Sequence, residues 1–261
     1  MPRLDAELTA RGIARSRERA KEMIKSGAVT VNDKIITKPS HEVAAEDIII
    51  SSEKELYVGR GALKLEKAAE FFHLDFNNRV CIDIGASTGG FTEYMLMHSA
   101  EKVYAVDVGS GQLAEKLKND SRVINMENTD IRTLSPESTG GQADFISADV
   151  SFISLGKILS DIYRLLKDNA CAAVLIKPQF EAGRRDIGKG GIVKDRKVHE
   201  RILSELCESF ELSGMPAVML THSPVRGGSG NIEYLALLKK SNEPAPKHDF
   251  RRLVNIAFTE L

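Results

Sequence analysis

The chain has 261 residues, 42% of them apolar and 28% charged, with a formal net charge of −1. This is the balance of a soluble globular protein long enough for one large domain, or for a large and a small one, and two domains are expected. It excludes a bundle of membrane helices, because no apolar run approaches the roughly 18 residues that a spanning helix needs, and the near-neutral charge advertises no nucleic acid for the chain as a whole. The opening "MPRLDAELTARG" has no apolar signal core, so a cytoplasmic location is expected.

In chain order, the pattern first predicts a short amphipathic helix over Leu4 to Gly12. A second follows from Ser16, a good N-cap, to Gly27, a good residue just past a helix end. On the second helix Ala20, Met23 and Ile24 fall on one apolar side, while Arg17, Lys21 and Lys25 lie four apart and stack into a basic stripe. "AVTVNDKIITKPS" then reads as a small hairpin, with Val29 and Val31 on one strand, Asn32 and Asp33 in the turn, and Ile35 and Ile36 opening the next. Arg15 and Lys34 add to the positive charge of this segment. Most charge runs are solvated helix faces, and charge alone favours that reading here. The order of helix, basic helix and hairpin favours an RNA grip.

"ELYVGRGALKLEKAAEFF" leads out of the small module, and Gly59 and Gly61 mark a hinge. The expected division is 1–55 for a small α+β RNA-binding domain, 56–61 for the hinge, 62–240 for a large domain and 241–261 for a C-terminal extension. Within the large domain, apolar runs alternate with helical patterns: "RVCIDIG", "KVYAVDVG", "RVINMEN", "ADFISADV", "CAAVLIKP", "PAVMLTHSP" and "EYLALLKK". That alternation predicts an α/β, Rossmann-like domain, doubly wound around a mostly parallel sheet, and the closeness of the last runs predicts an antiparallel edge strand. The extension carries a proline-bearing linker, "SNEPAPKHDF", and a short amphipathic end that either docks on the domain or contacts RNA.

In such sheets the first strand-to-helix turn is the usual ligand cradle. Here it is "CIDIGASTGGFTEYM", whose Gly85, Ser87, Thr88, Gly89 and Gly90 do not follow the dinucleotide spacing of glycines. Gly85 allows a sharp turn, Gly89 and Gly90 allow backbone to approach a ligand, and the helix start offers N–H groups to a carboxylate. Asp83 suits an ammonium, Asp107 the hydroxyls of a ribose, and Asp130 an adenine amino group. Together these describe S-adenosyl-L-methionine, which makes the large domain a methyltransferase candidate.

Methyl transfer to a hydroxyl needs the hydroxyl aligned and relieved of its proton, and a lysine is a suitable base or orienter. Lys177 ends the apolar strand "AAVLIKP" and Asp149 ends "FISADV", both on the ligand side of the sheet. Strand-end charges are often only solvated, and Asp149 could cap the next helix. Two such residues beside one cofactor site favour function. Cys81, Cys171 and Cys207 lie apart in apolar contexts and the six histidines are scattered, so buried free thiols and no metal are expected.

Residues 3–50 resemble the alpha-L RNA-binding motif, through "SRERAKEMIKSGAVTVN" in order as well as composition. Across nearly the whole chain, "GRGALKL", "DIGASTGGFTE", "DVGSGQLA", "ADVSFISL", "LIKPQFEAG" and "GNIEY" resemble the TlyA-type ribosomal RNA 2′-O-methyltransferases, also labelled haemolysin A, whose catalytic half is similar to FtsJ-type enzymes. The resemblance implies a Lys-Asp-Lys-Glu tetrad at Lys64, Asp149, Lys177 and Glu233. By residue type alone, Lys64 would be a surface lysine and Glu233 a strand-end acid. It also implies ribosomal RNA within ribosomal subunits as partner, and a cytidine ribose as target. "EAGRRDIGKGGIVKD" would be a lid, or else a flexible surface loop, with Arg184 and Arg185, together with Arg60 at the hinge, on RNA. Two other functions remain open at this point: an inactive RNA-binding assembly factor, and a membrane-lysing haemolysin.

Overall fold

The computed structural model describes residues 2–14, 17–52, 57–241 and 243–261. The chain divides into two compact units, Met1–Val58 and Gly59–Leu261. Arg15 and the expected N-cap Ser16 lie outside the described residues, as does Leu56 at the start of the expected hinge.

The small unit contains α1 (Leu4–Ala10), α2 (Arg17–Lys25), β1 (Val29–Val31), β2 (Lys34–Ile35) and β3 (Ile49–Ser51). Ala20, Met23 and Ile24 are fully buried with Leu4, Leu8 and Val29, so the apolar side of α2 closes a core of its own. Asn32 and Asp33 both take positive φ, +48° and +65°, which fits the right-handed twist of the hairpin β1–β2. The third strand, β3, was not anticipated. It pairs antiparallel with β1 on its other side, giving the order β2-β1-β3.

The large unit opens with α3 (Gly61–Phe72), β4 (Val80–Ile84), α4 (Gly90–Met97), β5 (Lys102–Val106), α5 (Glu115–Lys118), β6 (Val123–Met126) and β7 (Ala143–Ala148). It continues through α6 (Leu159–Leu165), β8 (Leu166–Ile176), α7 (Pro178–Glu181), α8 (Arg196–Leu212), β9 (Ala217–His222), β10 (Tyr234–Lys239) and α9 (Phe250–Glu260). The sheet order is β6-β5-β4-β7-β8-β10-β9. The first five strands are mutually parallel, and β10 is antiparallel to both β8 and β9. The mostly parallel, doubly wound sheet is as expected, with one correction: the antiparallel strand lies one place in from the edge. The reason is connectivity. β9 follows the long helix α8 as a crossover strand, and the chain then turns back to insert β10 between β8 and β9.

Alternation along β4 covers both faces. Ile82 and Ile84 face a core shared with Ile162 of α6, Leu203 and Phe210 of α8, and Val254 and Ala257 of α9. Phe145, cross-strand partner of Cys81, faces the other way and meets Phe76 edge-on at 5.1 Å, which in turn meets Tyr94 of α4. Each fully buried branched side chain contributes about 1.5–3 kcal/mol, so α9 is held by the main core as an integral helix. No helix of the described residues is long and apolar enough to cross a membrane.

This topology positions the site. Strand order reverses at β4, whose neighbours are β5 and β7, and a crevice opens where β4 and β7 end. Gly85 and Asp149 are the residues that follow those two ends.

Candidate active site

Gly85 turns with φ +79°, and a Cβ there would lie 2.5 Å from the carbonyl oxygen of Asp149. Only glycine lets the two strand ends run this close. Asp149 thereby stands at the mouth of the crevice, and three more charged side chains converge on it from separate elements. Lys177 follows β8, Lys64 lies on α3, and Glu233 precedes β10. Lys64 Nζ donates to Glu233 Oε2 at 2.7 Å and lies 3.6 Å from Asp149 Oδ2. Lys177 Nζ is 2.6 Å from Asp149 Oδ1, an ion pair off the hydrogen-bond direction, and donates to Ser151 Oγ at 2.8 Å. Phe180 places its ring 5.7 Å from the same ammonium.

Burial decides how this cluster should be read. The side chain of Glu233 is 3% exposed, that of Lys64 11% and that of Asp149 19%. Charges so far out of water persist only when paired, and here two cations alternate with two carboxylates. The solvated readings open to Lys64 and Glu233 by residue type are thus excluded.

Two cavities meet at this point, sharing Gly85, Ser87 and Asp149 in their walls. The larger, about 420 Å³, has apolar walls from Ile84, Val106, Ile131 and Ile158, and carries Asp107 and Asp130. The smaller, about 190 Å³, is lined by Thr88 and Gly90 with Arg60, Lys64 and Arg226. Asp107 accepts from the backbone N–H of Ser87 at 2.8 Å and of Gly109 at 2.7 Å, so it ties the glycine loop to the end of β5. Asp130 is held by Arg132 at 2.5 Å, and that guanidinium keeps its carboxyl below the ordinary range.

Two expectations for the loop are corrected. By residue type Asp83 suits a ligand ammonium, but it is fully buried and lines neither cavity. Oδ2 accepts from Thr92 N–H at 2.9 Å and Thr92 Oγ1 at 2.7 Å, and Oδ1 accepts from Ser147 Oγ at 2.9 Å. Its work is to brace the start of α4 against β7. Gly89 is expected at a point of backbone approach to ligand, yet a Cβ there would run into Leu117 and Leu113. Its missing side chain makes room for α5. Gly90 does line the smaller cavity, and it also lets α4 pack on α3, since a Cβ would meet Ala62 N at 2.9 Å.

Burial pushes the Asp83 carboxyl up to about 6, above the ordinary value near 3.9. The fold therefore favours the neutral acid. The stability from this group is fully present below about pH 4 and is lost as pH rises through about 6. Asp83→Asn can keep the network, with its oxygen toward Thr92 and its amide toward Ser147, so it is expected to remove that pH slope in urea unfolding. Asp83→Ala strands the donors of Thr92 and should lose about 2–4 kcal/mol near pH 4, a loss that shrinks as pH rises through about 6.

The RNA-contact candidates divide between the units. Arg17, Lys25 and Lys34 are exposed on the small unit, where Arg17 sits 3.4 Å from Asp5 and Lys21 sits 3.8 Å from Glu18. Arg60 lines the smaller cavity, and Arg184 and Arg185 are exposed on the loop before α8. That loop is anchored at Val193, whose N–H reaches Asn231 Oδ1 and whose carbonyl meets His199 Nε2 at 3.0 Å. Sequence reasoning missed Ser151, Arg226 and Gly227. The one available signal was position, since Ser151 lies two residues past Asp149. Cys81, Cys171 and Cys207 are free thiols.

Comparison with known proteins agrees with this architecture. The FtsJ-like methyltransferase family model matches residues 57–240, and the S4 domain model matches residues 2–49. The 16S/23S rRNA (cytidine-2′-O)-methyltransferase TlyA of Mycobacterium tuberculosis is 42% identical, covering 93% of this chain and 91% of that protein. Hemolysin A of Brachyspira hyodysenteriae is 42% identical, covering 90% of this chain and 98% of that protein. A solved structure named "Putative hemolysin from Streptococcus thermophilus" superposes with a TM-score of 0.81 at 41% identity, over 99% of this chain and 96% of that one.

Proposed function

Because the chain belongs to the FtsJ-like methyltransferase family, with an S4 domain at its N-terminal end, we propose that it transfers a methyl group from S-adenosylmethionine to the 2′-hydroxyl of a cytidine in ribosomal RNA. The observation that carries this reading is the charge-balanced cluster of Lys64, Asp149, Lys177 and Glu233 where the two cavities meet. The relative from Mycobacterium tuberculosis supports the substrate, since its name states that activity.

The residues present suit the cofactor. The larger cavity lies in the size range of small-molecule sites and combines apolar walls for an adenine with the Asp107 carboxylate for ribose hydroxyls. Gly85, where the Asp149 carbonyl leaves no room for a Cβ, contributes bare backbone to the walls of both cavities. When bound, S-adenosylmethionine supplies a methyl group already activated on a sulfonium sulfur.

Alignment and proton removal are left to the protein. Lys177, fixed by Asp149, Ser151 and the Phe180 ring, orients the ribose hydroxyl. The hydroxyl proton would pass to the carboxylate of Asp149, beside which Lys177 holds the hydroxyl and whose Oδ1 accepts no hydrogen bond among the described residues. Lys64 and Glu233 hold Asp149 in place and keep the local charge balanced. The S4 domain grips RNA through phosphates, with Arg17, Lys21, Lys25 and Lys34 as contacts, which positions a substrate without reading sequence.

The test is transfer of labelled methyl from S-adenosylmethionine to separated small and large ribosomal subunits and to their naked RNAs. Label in the RNA is expected. Bound cofactor with no label on any of these acceptors, beside a working control enzyme, would refute the proposal.

A further inference from the structure

Resting on that reading of the site, we propose that Arg226 is a substrate-binding residue that grips the RNA phosphodiester adjoining the methylated ribose. Arg226 lines the smaller cavity together with Arg60, Lys64 and Asp149. The loop that carries it lies directly on the cluster, because Gly227 packs so tightly on Glu233 that a Cβ would collide with that carboxylate. The guanidinium is set in place from behind: Nε donates to Leu261 O and Nη1 to Gly230 O, each at 3.0 Å. Among the described residues no side-chain carboxylate pairs with Arg226 or with Arg60.

The charge count then points outward. The cluster behind is already balanced, two lysines to two carboxylates, so Arg60, and Arg226 through the N–H groups that Leu261 and Gly230 leave free, offer donors at its rim to a further anion. A ribose presented by its 2′-oxygen brings its own 3′-phosphate to that rim, since the two oxygens sit on adjacent ring carbons. A pre-oriented arginine with free N–H groups is the donor geometry that a phosphodiester selects.

The experiment measures RNA affinity by filter retention, KM for RNA, and cofactor affinity by calorimetry, for wild type, Arg226→Ala and Arg226→Lys. For Arg226→Ala we expect RNA affinity to fall and KM for RNA to rise by about tenfold, with kcat and cofactor affinity little changed. The slope of log affinity against log salt should shrink by about one, and Arg226→Lys should recover part of the loss. Unchanged RNA affinity and KM in both variants would overturn the proposal. So would a loss confined to cofactor affinity, which would assign the arginine to the cofactor's carboxylate. Failure of the wild type to transfer methyl would count against the methyltransferase reading, whereas filter retention would still report on the phosphate contact.

Discussion

Lys177→Ala is expected to lower the rate constant of methyl transfer by about 10³-fold while leaving affinity for S-adenosylmethionine within about threefold. The ammonium is held from three sides, by Asp149 at 2.6 Å, Ser151 at 2.8 Å and the Phe180 ring. That is an arrangement for fixing a group, and orientation together with proton removal accounts for a loss of that size. Lys177 does not line the larger cavity, so its removal leaves the adenosine walls as they are. Single-turnover kinetics with saturating cofactor would measure the first quantity and calorimetry the second. A variant that transfers methyl at the wild-type rate would remove Lys177 from the mechanism.

Lys64→Ala is expected to act on stability as strongly as on activity, destabilising the large unit by about 3–5 kcal/mol. The reason is what it leaves behind. Glu233 is 3% exposed and takes its 2.7 Å hydrogen bond from Lys64, with, among the described residues, only a long 3.5 Å contact from Gln179 besides. Truncation would strand a buried carboxylate. Lys64→Met combined with Glu233→Leu removes both charges, and it should restore most of the stability while remaining inactive. Urea unfolding of the two single variants and the pair gives the coupling. If Lys64→Ala unfolds as the wild type does, the pairing is not a structural constraint on this fold.

Much of the fold could be read from local pattern. Seven apolar runs gave seven strands, because buried parallel strands are nearly continuous in Val, Ile, Leu and Ala. Asn32 and Asp33 signalled their turn through residues that tolerate positive φ. What escaped was set by contacts distant in sequence. The place of β10 between β8 and β9 depends on how the chain returns after α8, and β3 is too short to stand out from its surroundings. The pairing of Lys64 with Glu233 spans 169 positions, and nothing local to either residue marks it. Family resemblance supplied that pair where periodicity could not.

Asp83 and Gly89 show a different limit. Both residue types could serve a ligand, and both serve packing here: Asp83 under α4, Gly89 beneath Leu117. A carboxylate or a glycine in a loop looks the same in sequence whether it faces a ligand or a neighbouring helix. Only burial separates the two.

The central claim is that the methyl group reaches a ribose oxygen under the control of this cluster, and alkaline hydrolysis of the labelled RNA tests it most directly. Alkali cleaves RNA through the free 2′-hydroxyl, so a methyl on that oxygen protects the adjoining phosphodiester. Label is expected in alkali-stable dinucleotides carrying a 2′-O-methylcytidine, and about 10³-fold more slowly with Lys177→Ala. Label released in mononucleotides would place the methyl on a base and contradict the account.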